Sequence, residues 1–229
     1  EFSERWYNSY VEVNNKPSEC RSKKYILSAS LNPFFGHQRL NEITTADIEA
    51  YKGEQLKRGN CNKTVNNRLA VLRKCLTTAV EWNIIESIPR FRQLKAAPPV
   101  FRFLEEREVE QIIQACASDM ERILVFTAAR TGLRFSELSA LEWQDVDFGR
   151  RTVTIRRANV GGHIGTPKNG RIRYVPLTND VIEKLKTLNH DSDIIFHRAG
   201  KRLIYWPSLC FLQRACKRAN IDPIGWHTL

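Results

Sequence analysis

The chain has 229 residues, and its apolar fraction of 42% is ordinary for a globular protein with a sizeable core, in one large domain or two small ones. Lys and Arg number 36 against 25 Asp and Glu, which gives a formal net charge of +11 and an isoelectric point near 9.6. An excess of this size indicates a polyanionic partner, most commonly a nucleic acid.

The positive charge is spread along the whole chain. Residues 1–100 hold 16 basic and 10 acidic side chains, and the rest holds 20 and 15. A partner that contacts both halves fits this distribution better than a basic tail does.

Several classes of protein are disfavoured. No apolar run approaches the roughly 20 residues that span a membrane, and there is no signal-peptide pattern. The six cysteines have neither CxxC nor zinc-finger spacing, so we expect free thiols in the cytoplasm and no metal site. The chain starts at Glu1 and its single methionine is Met120, so we expect the natural start to lie upstream.

The first part of the chain predicts helices. Phe2, Trp6 and Tyr10 recur at a spacing of four, which is typical of one apolar helix face. A second helix is expected over 20–31, ending near Asn32-Pro33.

Two more helices complete this bundle. The third begins at a cap, Thr44 or Thr45, and ends near Gly59. The fourth has the clearest apolar stripe of the chain, formed by Val65, Leu69, Leu72, Leu76 and Val80. Pro89 ends the block, and residues 89–102 predict an extended basic linker.

The remainder predicts mixed structure. Helices are expected from Leu104, over 121–129 and around Arg134 to Leu141, and later over 179–188 and 207–219. Between them, Val153 and Ile155 alternate with polar residues as in a strand, and Asn169-Gly170 predicts a hairpin whose return strand is 171–176. The fold class is therefore mainly α with a small antiparallel sheet.

The most specific motif is a glycine turn that leads into an arginine and, three residues later, a glutamate. A planar guanidinium contacts two oxygens of a phosphoryl group at once, and a helix start after a glycine turn is a rigid mount for it. An isolated Arg-x-x-Glu is usually a surface ion pair. Here it stands within Thr131-Gly132-Leu133-Arg134-Phe135-Ser136-Glu137-Leu138, followed by Leu141, Trp143 and Asp145.

This run resembles the first active-site box of the tyrosine recombinases, the phage-integrase family. The resemblance implies that Arg134 clamps the scissile phosphate of DNA and that Glu137 supports it. It also identifies Lys168, beside Asn169-Gly170, as the general acid for the 5′-hydroxyl, although a lysine in such a turn is usually only solvated.

The end of the chain resembles the next box of the family, which begins His-x-x-Arg. His227 supplies the histidine, and the chain stops two residues later, before the arginine and the nucleophilic tyrosine. None of the six tyrosines follows this box, so we assign none as the nucleophile. We therefore expect a catalytic domain truncated at its C-terminus, inactive in cleavage by itself.

The N-terminal helices resemble the core-binding domain of the same family. The residue types of its fourth helix and of the second helix suit contacts to phosphates and base edges. The candidates for DNA contact are Lys23, Lys24, Lys63, Thr64, Asn66, Asn67 and Arg68. Each could instead belong to a cap or a solvated helix face.

The resemblance implies a core-binding domain over 1–88, a linker over 89–102 and a partial catalytic domain over 103–229. It implies site-specific recombination through a 3′-phosphotyrosyl bond, with no metal or nucleotide cofactor. The expected partners are duplex DNA, further copies in a tetramer on DNA, and accessory DNA-bending proteins. Two alternatives remain open, a type IB topoisomerase and a DNA-binding protein that has lost cleavage.

Overall fold

A computed structural model describes residues 1–98, 102–167 and 170–229. The chain divides into two compact units, Glu1–Pro99 and Val100–Leu229, each with its own hydrophobic core. The first unit is helical, and the second combines helices with small antiparallel sheets. The predicted fold class is confirmed.

The first unit opens with an unbroken helical segment. It consists of α1 (Phe2–Trp6), a π-type turn (Tyr7–Val11) and α2 (Glu12–Asn14). Trp6 is fully buried and its ring stacks on that of Tyr10, with 6.1 Å between the centroids. The apolar face predicted from the spacing of four is confirmed.

The second helical segment is longer than its sequence predicts. It runs through α3 (Pro17–Ile26), a π-type turn (Leu27–Leu31) and α4 (Asn32–Phe35). In the π-type turn the amide of Asn32 donates to the carbonyl of Leu27, five residues back. This turn contains one residue more than an α-helical turn. Pro33 follows it in the first turn of α4, where its missing amide is tolerated, so the helix continues past Pro33.

A short 3-10 turn (Leu40–Glu42) precedes the last two helices of the unit, α5 (Thr45–Lys57) and α6 (Asn62–Glu81). Thr44 is the N-cap of α5 and forms a capping box with Asp47. The apolar stripe of α6 lies in the core together with Trp6, Leu31 and Tyr51.

The second unit begins with α7 (Glu106–Gln114), α8 (Asp119–Thr131) and α9 (Phe135–Leu138). The sequence predicts that Leu141 belongs to the last of these helices, but α9 is a single turn that ends at Leu138. A capping box, in which Glu142 and Asp145 bond to each other's amides, starts a 3-10 turn at Trp143–Asp145 and prevents continuation of the helix.

The five following strands are β1 (Val146–Asp147), β2 (Thr152–Ile155), β3 (Ala158–Val160), β4 (His163–Gly165) and β5 (Arg173–Pro176). The main sheet has the order β1-β2-β5 and is antiparallel, with Ile155 opposite Arg173. The predicted strand and its return strand thus pair. Between them, β3 and β4 form a hairpin that was not predicted, turning at Gly161 and Gly162, both with positive φ.

The unit ends with α10 (Asn179–Lys186), a small hairpin of β6 (His197–Arg198) and β7 (Lys201–Arg202), α11 (Tyr205–Arg218) and a 3-10 turn (Trp226–Thr228). Its core joins α8, α9, α11 and the inner face of β2 around Leu124, Leu138, Ile155 and Leu212. Over the described ranges, no helix is long and apolar enough to cross a membrane.

Candidate active site and nucleic-acid interface

Arg134 stands at the junction between α8 and α9. Gly132 ends α8 in the left-handed conformation, with φ of +62°, and its amide donates to the carbonyl of Ala128 at 2.9 Å. Buried Leu133 then anchors the chain, and Arg134 becomes the N-cap of α9. The glycine turn therefore places Arg134 at the start of α9.

Glu137 is the partner of Arg134 in two ways. Its Oε2 accepts the backbone amide of Arg134 at 3.0 Å, and its Oε1 accepts Nη1 of Arg134 at 3.3 Å. The Glu137 side chain is 1% exposed, whereas that of Arg134 is 49% exposed. The carboxylate is thus buried, while about half of the Arg134 side chain faces solvent.

Arg173, on β5, completes this cluster and was not predicted. Its Nη1 and Nη2 donate to Oε1 and Oε2 of Glu137 at 2.8 and 2.7 Å, a two-pronged ion pair. The available signal was the alternation of β5, which puts Arg173 on the same inner side as Val175. Charged residues on the inner side of a strand require a buried partner.

The environment of Glu137 favours its ionised form. Burial by itself raises the pKa of the Glu137 carboxyl. Hydrogen bonds from Arg173 and from the Arg134 amide, together with the two positive charges, lower it by more, so the net pKa lies below its usual value. The same contact raises the pKa of Arg173, mainly through its hydrogen bonds to Glu137. The cluster therefore holds one carboxylate between two guanidinium groups.

His227 lies in the final 3-10 turn and is exposed. Its neighbour Trp226 is 2% exposed and packs against Phe135, the neighbour of Arg134, and against Phe211. The core contact between Trp226 and Phe135 brings the chain at His227 to the segment that carries Arg134.

Lys168 falls outside the described residues, as does Asn169. On either side of them, the amide of Gly170 donates to the carbonyl of Pro167 at 2.9 Å, and Gly170 has φ of +67°. The assignment of Lys168 therefore still rests on the sequence.

The predicted DNA contacts in the first unit fall into two groups. Lys24, Lys63 and Asn67 are exposed, and the Lys24 ammonium lies 5.6 Å from the centre of the Tyr7 ring. Thr64 is half-buried, and its hydroxyl lies 3.3 Å from the Sγ of Cys61, the N-cap residue of α6.

The other three candidates are engaged inside the unit. Asn66 donates to the carbonyl of Leu94 at 2.8 Å and accepts its amide at 2.9 Å. Arg68 donates to the buried amide oxygen of Gln55. Lys23 contacts Glu19 and Asn15 at 3.0 and 2.6 Å. Contact of these three with DNA would require exchange of these internal bonds, and their assignment as DNA contacts stays a prediction.

The bonds of Asn66 belong to a strap that holds residues 90–95 on the first unit. Buried Lys52 donates to the carbonyl of Arg92 at 3.1 Å, and Asn62 donates to that of Lys95 at 2.7 Å. The Arg90 amide donates to the hydroxyl of Thr45 at 3.2 Å. Half of the expected linker is therefore fastened to the helical bundle.

This strap creates a basic groove that was not predicted. Arg73 from α6 and Arg90 and Arg92 from the strap line one concavity together with Phe91. Within the described residues, none of the three guanidinium groups makes an ion pair or a side-chain hydrogen bond. Three unpaired guanidinium groups in one concavity suit an anion such as a DNA phosphate.

The second unit exposes two large apolar side chains around the start of α11. Ile204 and Trp206 are 59% and 70% exposed, and Arg198 and Lys201, on the small hairpin that precedes them in the chain, are exposed as well. No group of three His, Cys, Asp or Glu side chains converges as in a metal site anywhere in the described ranges.

Comparison with protein families gives two matching models. Residues 102–229 match the model of the phage integrase family, and residues 1–52 match that of the phage integrase N-terminal SAM-like domain. Among sequence relatives, the ICEBs1 integrase of Bacillus subtilis is 25% identical over 205 residues, covering 86% of this chain and 56% of the relative. Prophage integrase IntR of Escherichia coli is 29% identical over 206 residues, covering 79% and 48%. The chain thus spans about half the length of these relatives.

Solved structures share the fold. Lambda integrase, residues 75–356, bound as a dimer to a COC' core site superposes with a TM-score of 0.81 at 17% identity, covering 99% of this chain and 85% of the other. The Tn1549 transposon integrase in complex with a circular intermediate DNA gives a TM-score of 0.81 at 16% identity, covering 99% and 83%. With the family model matching more than half of its residues, the chain belongs to the phage integrase family.

Proposed function

We propose that this chain is the DNA-binding and phosphate-activating part of a site-specific recombinase, the integrase of a phage or another mobile element. The observation that carries the proposal is the cluster of Arg134 and Glu137. A buried carboxylate accepts the backbone amide and Nη1 of Arg134, whose side chain remains 49% exposed, which is the arrangement that a phosphate-binding group needs.

Within this proposal each catalytic residue has a distinct task. Arg134 stabilises the negative charge on the non-bridging oxygens of the scissile phosphate, and His227 adds a further contact to that phosphate. Lys168 protonates the departing 5′-oxygen. The attacking tyrosine forms a 3′-phosphotyrosyl bond that conserves the energy of the broken phosphodiester, so no nucleotide is consumed. None of the six tyrosines is assigned to that task.

Duplex DNA is the proposed partner of both units. Exposed Lys24, Lys63 and Asn67 and the arginine groove provide contacts on the first unit. In support, the lambda and Tn1549 integrases with this fold were solved on DNA. Phosphate contacts from each unit would fix the position of the protein, while a smaller number of base contacts would select the site.

The sequence predicts a first domain over 1–88, a linker over 89–102 and a catalytic domain over 103–229. We keep DNA binding for the first domain and catalysis for the last, and change one boundary. The strap bonds from Lys52, Asn62 and Asn66 support extending the first domain as far as Lys95.

We also propose that the full gene product acts as a tetramer on two DNA sites, with accessory DNA-bending proteins, on DNA in the bacterial cytoplasm. Support for the tetramer comes from the lambda integrase, which was solved as a tetramer bound to a Holliday junction. The match of residues 1–52 to the integrase SAM-like domain favours an integrase over a type IB topoisomerase.

The test is DNA cleavage by the full gene product on a nicked substrate that traps the covalent intermediate. Wild-type protein should accumulate a protein–DNA adduct on a denaturing gel. Arg134→Ala should reduce its formation by a factor of roughly 10²–10³, the usual effect of losing one donor to a developing charge. Arg122→Ala, which removes an exposed arginine paired with Asp119, is the control and should cleave normally. Cleavage by Arg134→Ala at the control rate would refute the assignment, and binding without any adduct would favour a DNA-binding protein that has lost cleavage.

A further inference from the structure

Arg173 reaches the centre of the candidate active site from a different part of the chain. It lies on β5 opposite Ile155, 39 positions after Arg134, and both of its terminal nitrogens contact the carboxylate of Glu137. Strand alternation turns Arg173 inward and leaves Tyr174 exposed. The contact therefore follows from the pairing of β2 with β5.

The two arginines share Glu137 unequally. Arg173 holds both oxygens at 2.7 and 2.8 Å, whereas the guanidinium of Arg134 is 3.3 Å from one of them. Short paired contacts are the stronger ones, because both bonds are charge-assisted and their geometry matches the carboxylate. Glu137 is thus held mainly by Arg173, and its contact with Arg134 is weaker.

Among the described elements packed against α9 are α8 and β3. The arginines of α8 are paired, Arg122 with Asp119 and Arg130 with Glu106, and β3 carries no charged side chain. Arg157, next to β3, pairs with Glu142 and Asp145 at 2.7 and 2.6 Å. Among the described residues, the cations that pair with the Glu137 carboxylate are therefore Arg173 and Arg134.

We propose that Arg173 is a positioning residue that occupies the carboxylate of Glu137 and so leaves the guanidinium of Arg134 free to bind a phosphodiester. This inference rests on the proposed function of Arg134. Without Arg173, Arg134 is the one remaining ion-pair partner of the buried carboxylate among the described residues, and the carboxylate would compete directly with the phosphate for that guanidinium. The pairing of β5 with β2 would in this way control the availability of Arg134 for the phosphate.

The alternative is a purely structural ion pair between α9 and β5. Arg157 provides a matched control, because it makes comparably short ion pairs within the same unit and no contact with Arg134 or Glu137. Loss of either arginine should lower the stability of the unit. Only loss of Arg173 should change the availability of Arg134.

The experiment is a titration of the chain with inorganic phosphate, followed through the side-chain Nε–H signal of Arg134 in NMR spectra. Arg173→Ala should weaken the phosphate response about tenfold, the lower end of the effect that supporting partners have on a ligand site. Arg173→Lys, which keeps the charge with a single-point contact, should fall between. Arg157→Ala should respond like the wild type.

A double variant separates positioning from structure. In Arg173→Ala with Glu137→Gln, no carboxylate remains to compete, so most of the phosphate response should return even though the ion pair is lost. Equal phosphate responses in Arg173→Ala and Arg157→Ala, or a double variant no better than Arg173→Ala, would overturn the inference. If Arg173→Ala does not fold, Arg173→Lys with and without Glu137→Gln gives the same comparison. Absence of any phosphate response in the wild type would instead overturn the proposed function of Arg134, and the inference with it.

Discussion

The rings of Phe135 and Trp226 pack with their centroids 5.0 Å apart, and each is the immediate chain neighbour of a candidate catalytic side chain. Arg134 precedes Phe135, and His227 follows Trp226. Both rings are at most 4% exposed, so the contact belongs to the core of the second unit. Two residues 93 positions apart in the chain are thereby joined through core packing.

Removal of the Trp226 ring should lower the stability of the core that joins the two candidate site segments. Trp226→Ala should lower the free energy of unfolding by about 3–5 kcal/mol, the usual cost of deleting a buried aromatic ring. Trp206→Ala is the matched control, since that ring is 70% exposed, and its change should stay within about 0.5 kcal/mol. Urea unfolding of the two variants measures the difference, and equal losses would contradict the packing described for Trp226.

Replacement of Gly132 should destabilise the chain for conformational reasons alone. An added Cβ would meet no atom within 4 Å, but the residue has φ of +62°. Gly132→Ala should therefore cost roughly 1–2 kcal/mol from the left-handed backbone. Gly53→Ala, within α5 and with equally open space, should instead stabilise by about 1 kcal/mol through helix propensity. Thermal unfolding should show shifts of opposite sign.

Glu137 should make the stability of the chain fall in acid. Its folded pKa is lower than the ordinary value of 4.5, so its contribution is fully present above that value and is lost as the pH falls through the lower folded value. The difference in unfolding free energy between the wild type and Glu137→Gln should accordingly shrink below about pH 4.5. Urea unfolding at a series of pH values tests this, and a difference that grows in acid would reverse the sign.

The arginine groove should contribute to the salt dependence of DNA binding. Overall, the log of the affinity should fall with the log of the salt concentration with a slope of at least roughly 4, since each neutralised phosphate adds about 0.9. Each of the variants Arg73→Gln, Arg90→Gln and Arg92→Gln should reduce the magnitude of this slope by about 0.9. Arg58→Gln is the control, because Arg58 pairs with Glu54 at 2.5 Å. Fluorescence anisotropy of labelled duplex measures the slopes, and unchanged slopes in all three variants would exclude the groove from the interface.

Lys168 and Arg134 should be separable by leaving-group chemistry in the full gene product. Lys168→Ala should leave binding nearly intact and slow cleavage by about 10²–10⁴, the usual contribution of a general acid. A 5′-bridging phosphorothioate departs without a proton, so it should restore cleavage by Lys168→Ala and leave Arg134→Ala defective. Equal rescue of both variants would refute the general-acid assignment.

Local sequence determined much of this protein. The spacing of apolar residues set the faces of α1 and α6, Thr44 and Gly59 marked the limits of α5, and the alternation around Val153 marked β2. The motif at Arg134 and Glu137 was readable because a glycine turn and a capping box are contacts within a few residues. Such features depend on neighbouring residues, so a sequence displays them directly.

Tertiary structure decided the contacts between distant residues. Asn66 bonds to Leu94 and Arg68 bonds to Gln55, and the strap brings Arg73 beside Arg90 and Arg92. These contacts depend on which elements pack together, and nothing within one turn of helix or one strand specifies that.

The division is clearest at Glu137. The sequence by itself determined its bond with Arg134, three residues away, because a helix start brings those positions together. Only the pairing of β2 with β5 decided that Arg173, 36 residues away, would hold the same carboxylate. A buried carboxylate requires compensation of its charge, but the chain can meet that requirement from any element that folding brings within reach.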